Sequence, residues 1–410
     1  MTLIECFDHT PLENITACLT LKPQRLILIG EEERMRRPAE ALRRLLQERG
    51  IDTEILLRGI CKDDLEDTVA VLTDIVQTEG ECVFDVTGGA ETVLLAVGAV
   101  YVTLKDRYPV RVWRSDVYSG EIRDCGKGNA VIGAQPASLS VSELITLHGG
   151  TSSPAGKQPT SACTTKDIAQ LWELICDDPR NWNRSITVFN EFENRSIDRN
   201  HIYLQMNALS GTIANFTSKE PLFHSLLEKL RKRGLIEDRS HGSVVSYRYR
   251  DPLIRYCLEK AGNVLEIKAL LEARELTEGG APFFSDCRMS VTIDWDSVAR
   301  AADKPAKDTR NEIDLMLMRG LTPVFVSCKN GGIEEEELYK LHTVAERFGG
   351  KYARKMLIAT DFDRKNASST AAFVRRAQDM GIFLVTDADE LDKDGWAEIF
   401  KKATRGGTNT

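Results

Sequence analysis

Two short segments carry side chains that could cleave a phosphodiester. Asn311-Glu312-Ile313-Asp314-Leu315 opens a strand-like run, and alternation along a strand puts Glu312 and Asp314 on one face. The next apolar run ends Ser327-Cys328-Lys329, so two adjacent strands would bring Asp314 and Lys329 to one sheet edge. An acid that holds a divalent ion, beside a lysine that steadies the charge developing on phosphorus, is what phosphodiester hydrolysis needs. Residue type alone also allows two solvated charges at strand ends. A third segment suggests anion binding. Residues 82–86 run as a strand into Thr87-Gly88-Gly89-Ala90-Glu91-Thr92, where a helix begins. Two glycines permit close backbone approach, a helix N-terminus offers N–H groups to an anion, and the Thr87 and Thr92 hydroxyls add donors. A capped strand-to-helix turn without a ligand fits the same residues. Neither G-x-G-x-x-G nor G-x-x-x-x-G-K-[ST] occurs, so a dinucleotide site and an NTPase P-loop lack their signatures.

The elements that must position these segments fall into three groups. Over 1–148, strands at 2–7, 25–29, 53–57, 82–86, 110–113 and 121–124 alternate with helices at 38–48, 63–77 and 91–104. That alternation predicts a parallel, doubly wound, Rossmann-like sheet. Residues 149–165 hold Gly, Ser, Thr and Pro with almost no large apolar side chain and read as a linker. Over 166–251 the period is helical, at 166–176 and 221–233, then Gly234 and the alternating Ser243-Val244-Val245-Ser246-Tyr247-Arg248-Tyr249 follow. A helix, a glycine turn and a strand pair predict a winged-helix-like region. Its Arg231, Lys232, Arg233, Arg248 and Arg250, with Tyr247 and Tyr249 interleaved, would suit a phosphate backbone or simply a solvated helix end. Over 252–400 the expectation is a helix at 252–276, strands at 289–294, 312–318 and 323–327, then further helices at 334–348 and 368–380 and strands at 355–360 and 382–386. That is a second α/β domain. Its acidic run from Glu334 to Glu337 opens a helix, where the helix dipole satisfies it.

Composition narrows the class. The 410 residues are 42% hydrophobic and 28% charged, with net charge −8, which excludes pervasive disorder and a histone-like coating of nucleic acid. The longest apolar run, 93–104, falls short of the roughly 20 residues that span a bilayer. The N-terminus has neither a basic start nor an apolar core, so a signal peptide is not expected. Ten cysteines and six histidines are dispersed, with no paired spacing of the kind structural zinc uses. A reducing, cytoplasmic setting without a membrane anchor is the expectation.

Two resemblances sharpen this reading. The polar turn Asp8-His9-Thr10-Pro11-Leu12-Glu13-Asn14 follows the first strand at the same sheet edge as Asp85-Val86-Thr87-Gly88-Gly89, an N/D-x-T-G-G turn after the fourth. Over residues 1–140 this layout resembles the CARF domain, the cyclic-oligoadenylate sensor of type III CRISPR systems. The resemblance implies a ligand pocket lined by His9, Thr10, Pro11, Thr87, Gly88, Gly89, Glu91 and Thr92. His9 would either stack on a base or cap the turn. Many relatives carry a lysine two residues after the second glycine, where this chain has Glu91, a carboxylate that cannot neutralise a phosphate.

Over 252–390, Gly262-Asn263-Val264-Leu265-Glu266, then Asn-Glu-Ile-Asp at 311–314 and Ser-Cys-Lys at 327–329, occur in the order that resembles the PD-(D/E)xK nuclease superfamily. In particular, the segment resembles the restriction-endonuclease-like domain fused to CARF sensors. The resemblance implies Glu266 and Asp314 as metal ligands, the Cys328 backbone carbonyl as a further ligand, Lys329 as the catalytic lysine and Glu312 as an accessory acid. The ion would be Mn2+ or Mg2+. Ser327 stands where the superfamily usually has Asp or Glu. Together the two likenesses imply a homodimeric, metal-dependent endonuclease of DNA or RNA, activated by a cyclic oligoadenylate, with cyclic tetra-adenylate the expected ring. Cleavage would be hydrolytic, without a covalent intermediate. The rival reading is a ligand-responsive winged-helix DNA-binding regulator with a degenerate nuclease domain. The intact Asp314 and Lys329 favour the enzyme.

Overall fold

The computed structural model describes residues 1–7, 10–61, 63–134, 137–152, 162–295, 310–360, 362 and 367–405. The first sheet holds β1 (Thr2–Cys6), β2 (Arg25–Gly30), β3 (Glu54–Gly59), β4 (Cys82–Asp85) and β5 (Val110–Ser115), followed by β6 (Glu121–Asp124) and β7 (Ala130–Ala134). The order is β3-β2-β1-β4-β5-β6-β7, parallel as far as β5 and antiparallel beyond it. The intervening helices are α1 (Pro11–Leu21), α2 (Glu32–Glu48), α3 (Leu65–Glu79) and α4 (Glu91–Leu104), with α5 (Val141–Leu147) after the sheet. Buried β-branched and leucine runs such as Arg25–Gly30 form these strands because both faces are covered. The chain winds outward from β1 to β3 and crosses back to β4, so strand order reverses between β1 and β4. In open α/β sheets the crevice at such a reversal is where ligands sit. The Rossmann-like expectation holds, and β7 is an addition to it.

After β8 (Thr151–Ser152), the middle of the chain contains α6 (Ala162–Asp177), α7 (Pro179–Glu193), β9 (Ile202–Gln205), α8 (Met206–Leu209), α9 (Phe216–Lys232), β10 (Ile236–Asp238) and β11 (Val244–Tyr249). The wing has three strands, in order β10-β11-β9. Helix α7 falls in an Asn-rich stretch that composition alone leaves irregular. It forms because Trp182, Ile186, Phe189 and Phe192 recur at helical spacing and are all buried.

The last group runs α10 (Pro252–Glu259), α11 (Asn263–Glu275), the hairpin β12 (Thr277–Glu278) and β13 (Ala281–Pro282), β14 (Asp286–Asp294), β15 (Arg310–Arg319), β16 (Thr322–Asn330), α12 (Glu335–Gly349), β17 (Arg354–Thr360), α13 (Ala367–Asp379), β18 (Ile382–Val385) and α14 (Lys393–Arg405). The second sheet is β18-β17-β16-β15-β14-β8, so β8, at the start of the stretch expected as a linker, closes its edge. Residues 252–276 are not one helix. The chain breaks at 260–262, where Lys260 is extended. Asn263 Nδ2 donates to the Tyr256 carbonyl (2.7 Å) and Trp182 Nε1 to the Ala261 carbonyl (3.0 Å), satisfying groups the break exposes.

Three cores hold this together. One lies between the first sheet and α3 and α4. A second joins the middle helices to one face of the second sheet, through residues such as Phe189, Leu265, Val326 and Trp396. The third is shared by both sheets: Leu3, Leu28, Val83 and Trp113 of the first belong to the same cluster as Met316, Phe325 and Leu357 of the second. Among the described residues, no helix is long and apolar enough to cross a membrane.

Candidate active site and sensor turn

Strands β15 and β16 pair antiparallel through Leu315↔Val326, and the ladder ends there. One step further, the Asp314 carboxylate takes the place of a strand carbonyl. Its Oδ2 accepts from the Cys328 amide at 2.7 Å and from Ser327 Oγ at 3.1 Å. On the other side, β14 carries Ser290 in the left-handed region (φ 50°), between the pairs Met289↔Leu315 and Val291↔Ile313. The ladder is thus irregular on both sides of Asp314, and its side chain is fixed by the neighbouring strand's backbone. Lys329 continues β16 and places Nζ 3.0 Å from Glu337 Oε2, in the first turn of α12. Glu312, Asp314, Ser327, Lys329, Glu337 and Lys340 line one open cleft.

Glu266 approaches from the first turn of α11 and does not line that cleft. Burial pushes its carboxyl up to about 8, and the charges of Asp314 and then Glu312 add to the effect. Burial also raises Asp314, against the Cys328 amide, Lys329 and Ser327, which favour its charged form. For Lys329, burial acts to lower the pKa, and Asp314 and Glu337 outweigh it, so the ammonium is held above its usual value. Burial opposes ionisation of Glu337 too, but the bond and charge from Lys329, with Lys340, keep it below the usual range. The Cys328 thiol is buried, and burial and the nearby acids raise it, so the thiolate is disfavoured there.

Among the described residues, no three His, Cys, Asp or Glu side chains converge to hold a metal ion. Two carboxylates that repel each other, Glu266 and Asp314, and the Cys328 carbonyl are the oxygens that could hold an ion there. All are hard oxygens, as magnesium and manganese prefer, and either a cation or a proton relieves their repulsion. Sequence reasoning missed Glu337. The acidic run that opens α12 reads as a dipole match, and the pairing of Glu337 with Lys329 becomes visible only once β16 and α12 are packed together.

In the first sheet, Asp85 at the end of β4 is buried and accepts three hydrogen bonds. They come from the Thr87 amide (2.8 Å), the Thr87 hydroxyl and Ser115 Oγ (2.7 Å). The Ser115 amide donates to Thr87 Oγ1 at 2.6 Å. The Thr87 hydroxyl, expected to face a ligand, is therefore committed to shaping its own turn. Gly89 has φ 119°, and a Cβ there would lie 2.6 Å from Cys6 Cβ. A Cβ on Gly88 would lie 2.2 Å from Glu13 Oε2 and 3.0 Å from Glu13 Cβ. Glycine is required at 89 and is the best fit at 88, where a side chain would crowd Glu13, and this seats the turn against β1 and α1. Glu91 is exposed and Thr92 half-buried in the first turn of α4. Thr10 occupies the N-cap of α1 and Pro11 its first position. His9 and Asp8 lie outside the described residues. Glu13, part of the same polar turn, is buried and bonded to residues 351 and 352, a contact no local pattern announces.

The wing does not present a tyrosine-studded basic surface. Tyr247 is fully buried, and the hydroxyls of Tyr247 and Tyr249 both donate to Glu193 Oε1. Arg231, Lys232, Arg233 and Arg250 are each ion-paired with acids of the same region.

No family model matches the sequence, and no curated protein sequence is similar to it. Solved structures are similar in fold. Protein VC1899 from Vibrio cholerae superposes with TM-score 0.73 at 16% identity, covering 100% of this chain and 99% of that one. Can2 from Sulfobacillus thermosulfidooxidans, in complex with cyclic tetra-adenylate, superposes with TM-score 0.67 at 15% identity, covering 98% and 97%. The resemblance expected from the sequence holds at the level of fold, over both sheets and the middle together.

Proposed function

We propose that this chain is a cyclic-oligoadenylate-activated, metal-dependent endonuclease of type III CRISPR defence, with cyclic tetra-adenylate as its activator. The observation that carries the reading is the joining of two sites in one fold. The β16 edge gathers Asp314, Lys329 and the nearby Glu266, and the first sheet places a double-glycine turn at its strand reversal. The whole-chain likeness to a protein solved with cyclic tetra-adenylate supports the sensor half. Glu266, Asp314 and the Cys328 carbonyl would hold a magnesium or manganese ion, which when bound supplies a Lewis acid for the phosphoryl oxygen and a source of nucleophilic hydroxide. Asp314 is held in place by the Cys328 amide. Lys329 donates to a non-bridging phosphate oxygen and stabilises the charge that grows in the transition state. Glu337 orients that lysine, and Glu312 stands exposed at the cleft rim. A ring with rotational symmetry fits a pocket shared by two sensor sheets, so the active form is a homodimer.

The regulator reading is weakened, since the tyrosines expected to interleave the wing's cations turn their hydroxyls onto Glu193 and Tyr247 is buried. The deciding experiment incubates the full chain with plasmid DNA and labelled RNA, with manganese or magnesium, across a panel of cyclic oligoadenylates. Ring-dependent cleavage that EDTA stops is expected. Binding of a ring with no cleavage of either substrate would return the regulator to favour.

A further inference from the structure

The connection from α12 to β17 belongs to the second sheet, yet it lies against the sensor turn of the first. Lys351 is ion-paired with Glu13, and the Tyr352 hydroxyl donates to Glu13 Oε1 at 3.0 Å. A Cβ on Gly350 would sit 3.4 Å from Thr10 Oγ1. Tyr352 also meets Tyr118, in the turn after β5, edge to face at 5.5 Å. Glu13 is the side chain that occupies the space left by the absent Cβ of Gly88. Its own side chain is 5% exposed, whereas that of Lys351 is 63% exposed. The lysine thus stands on the solvent side of Glu13, the side chain that packs on Gly88, and it follows Gly350, which lies against Thr10.

The turn itself brings no cation. From 85 to 92 it reads Asp-Val-Thr-Gly-Gly-Ala-Glu-Thr, and a phosphate seated there would meet Glu91. We infer that Lys351 is a phosphate-binding residue that the second sheet contributes to the activator pocket of the first, supplying the charge the turn lacks. This rests on the sensor reading above. It also gives the ligand a lever. Lys351 follows the last residue of α12 by two positions, and the first turn of the same helix holds Glu337 on Lys329. Fifteen helical residues span about 22 Å as a stiff rod. A ligand that draws Lys351 away from Glu13 therefore acts on the element that positions the candidate catalytic lysine. Such a contact, made in one arrangement and not the other, is what activation requires.

The test uses the full chain and titration calorimetry with cyclic tetra-adenylate at several salt concentrations. Lys351→Ala should weaken binding tenfold or more and make the slope of log K on log salt shallower by about one, the signature of one lost phosphate contact. Lys351→Arg should stay within about threefold of wild type. Tyr352→Phe, which removes a support of Glu13 and leaves the cation, should keep the wild-type salt slope. Unchanged binding in Lys351→Ala, or weaker binding with the slope intact, overturns the inference and leaves the sensor reading standing. No binding of any cyclic oligoadenylate by the wild-type chain removes that reading, and the inference with it.

Discussion

Each sheet sets an aspartate beside its candidate site, Asp85 buried and Asp314 half-buried, and the two are treated differently by their surroundings. Asp85 accepts from the Thr87 amide, the Thr87 hydroxyl and Ser115. Those bonds consume its oxygens, and the result is a rigid turn. Asp314 accepts from the Cys328 amide and Ser327 through one oxygen, Oδ2, and faces a second acid. No described residue donates a hydrogen bond to that acid, Glu266, and its carboxyl is held up to about 8. A buried acid whose oxygens are all bonded is architecture. One left underbonded next to another acid is waiting for a cation or a proton.

The largest expected effect separates these roles. Asp314→Asn or Lys329→Ala should lower cleavage roughly a hundredfold or more, as loss of a group acting on developing charge does, with thermal stability little changed. Asp85→Asn should do the reverse: it leaves a buried donor network short of its acceptor and costs about 1–3 kcal/mol of stability, while the cleft chemistry persists in protein that is folded. Melting curves beside single-turnover cleavage distinguish the two. Equal loss of cleavage in all three variants would erase the distinction.

The next effect is a pH dependence. In metal-free protein Glu266 stays protonated when folded and ionises near 4.5 when unfolded. Its burial therefore costs nothing below about pH 4.5, and the cost grows until about pH 8, where it is complete. Glu266→Gln should accordingly be more stable than wild type at pH 8, by up to a few kcal/mol, and equal to it near pH 4.5. Added manganese should reverse the order, since only the wild type gains a ligand-bound carboxylate. A stability gap that does not change with pH would show that Glu266 is not the strained acid of the site.

These effects also mark where sequence reading reaches its limit. The central strands of both sheets were legible because runs such as residues 25–29 and 323–327 are apolar, β-branched and short, whereas the edge strands β7 and β8 were not. Asp314 and Lys329 were legible because strand alternation and order suffice to bring them together. Glu266 was not legible from periodicity, since its place depends on the break at 260–262. That break is secured by Asn263 and by Trp182 of a helix 79 positions away from the carbonyl it caps. The Asn-rich stretch concealed α7 because polar composition masked a regular buried stripe. The bond from Tyr352 to Glu13 joins residues 339 apart, and it exists because one core runs beneath both sheets. Partners this distant leave no mark in local spacing.

A smaller effect tests the sensor turn. Gly88→Ala adds a Cβ that would lie 2.2 Å from Glu13 Oε2. The tip of Glu13 can swing aside, but its Cβ at 3.0 Å cannot, so strain of about 1–3 kcal/mol is expected from overpacking. The displaced carboxylate should also loosen Lys351 and Tyr352. Calorimetry should then show weaker cyclic tetra-adenylate binding together with a lower melting temperature in the free protein. Gly88→Ala with wild-type values for both would mean that Glu13 yields freely and does not brace the turn.

The smallest effect belongs to Glu337, which holds Lys329 from the α12 side at 3.0 Å. Burial favours the neutral amine of Lys329, and the charges of Asp314 and Glu337 keep it an ammonium above its ordinary pKa. Glu337→Gln removes one of those two supports and keeps a side chain of the same length beside the lysine. The pKa of Lys329 should fall, so the alkaline limb of the pH–rate profile should move to lower pH. The rate near neutrality should change less than tenfold, because the lysine remains protonated there. Asp314→Asn, by contrast, should depress the rate at every pH. If Glu337→Gln instead abolishes cleavage across the whole profile, then Glu337 acts directly on the substrate or its metal, alongside Glu266 and Asp314.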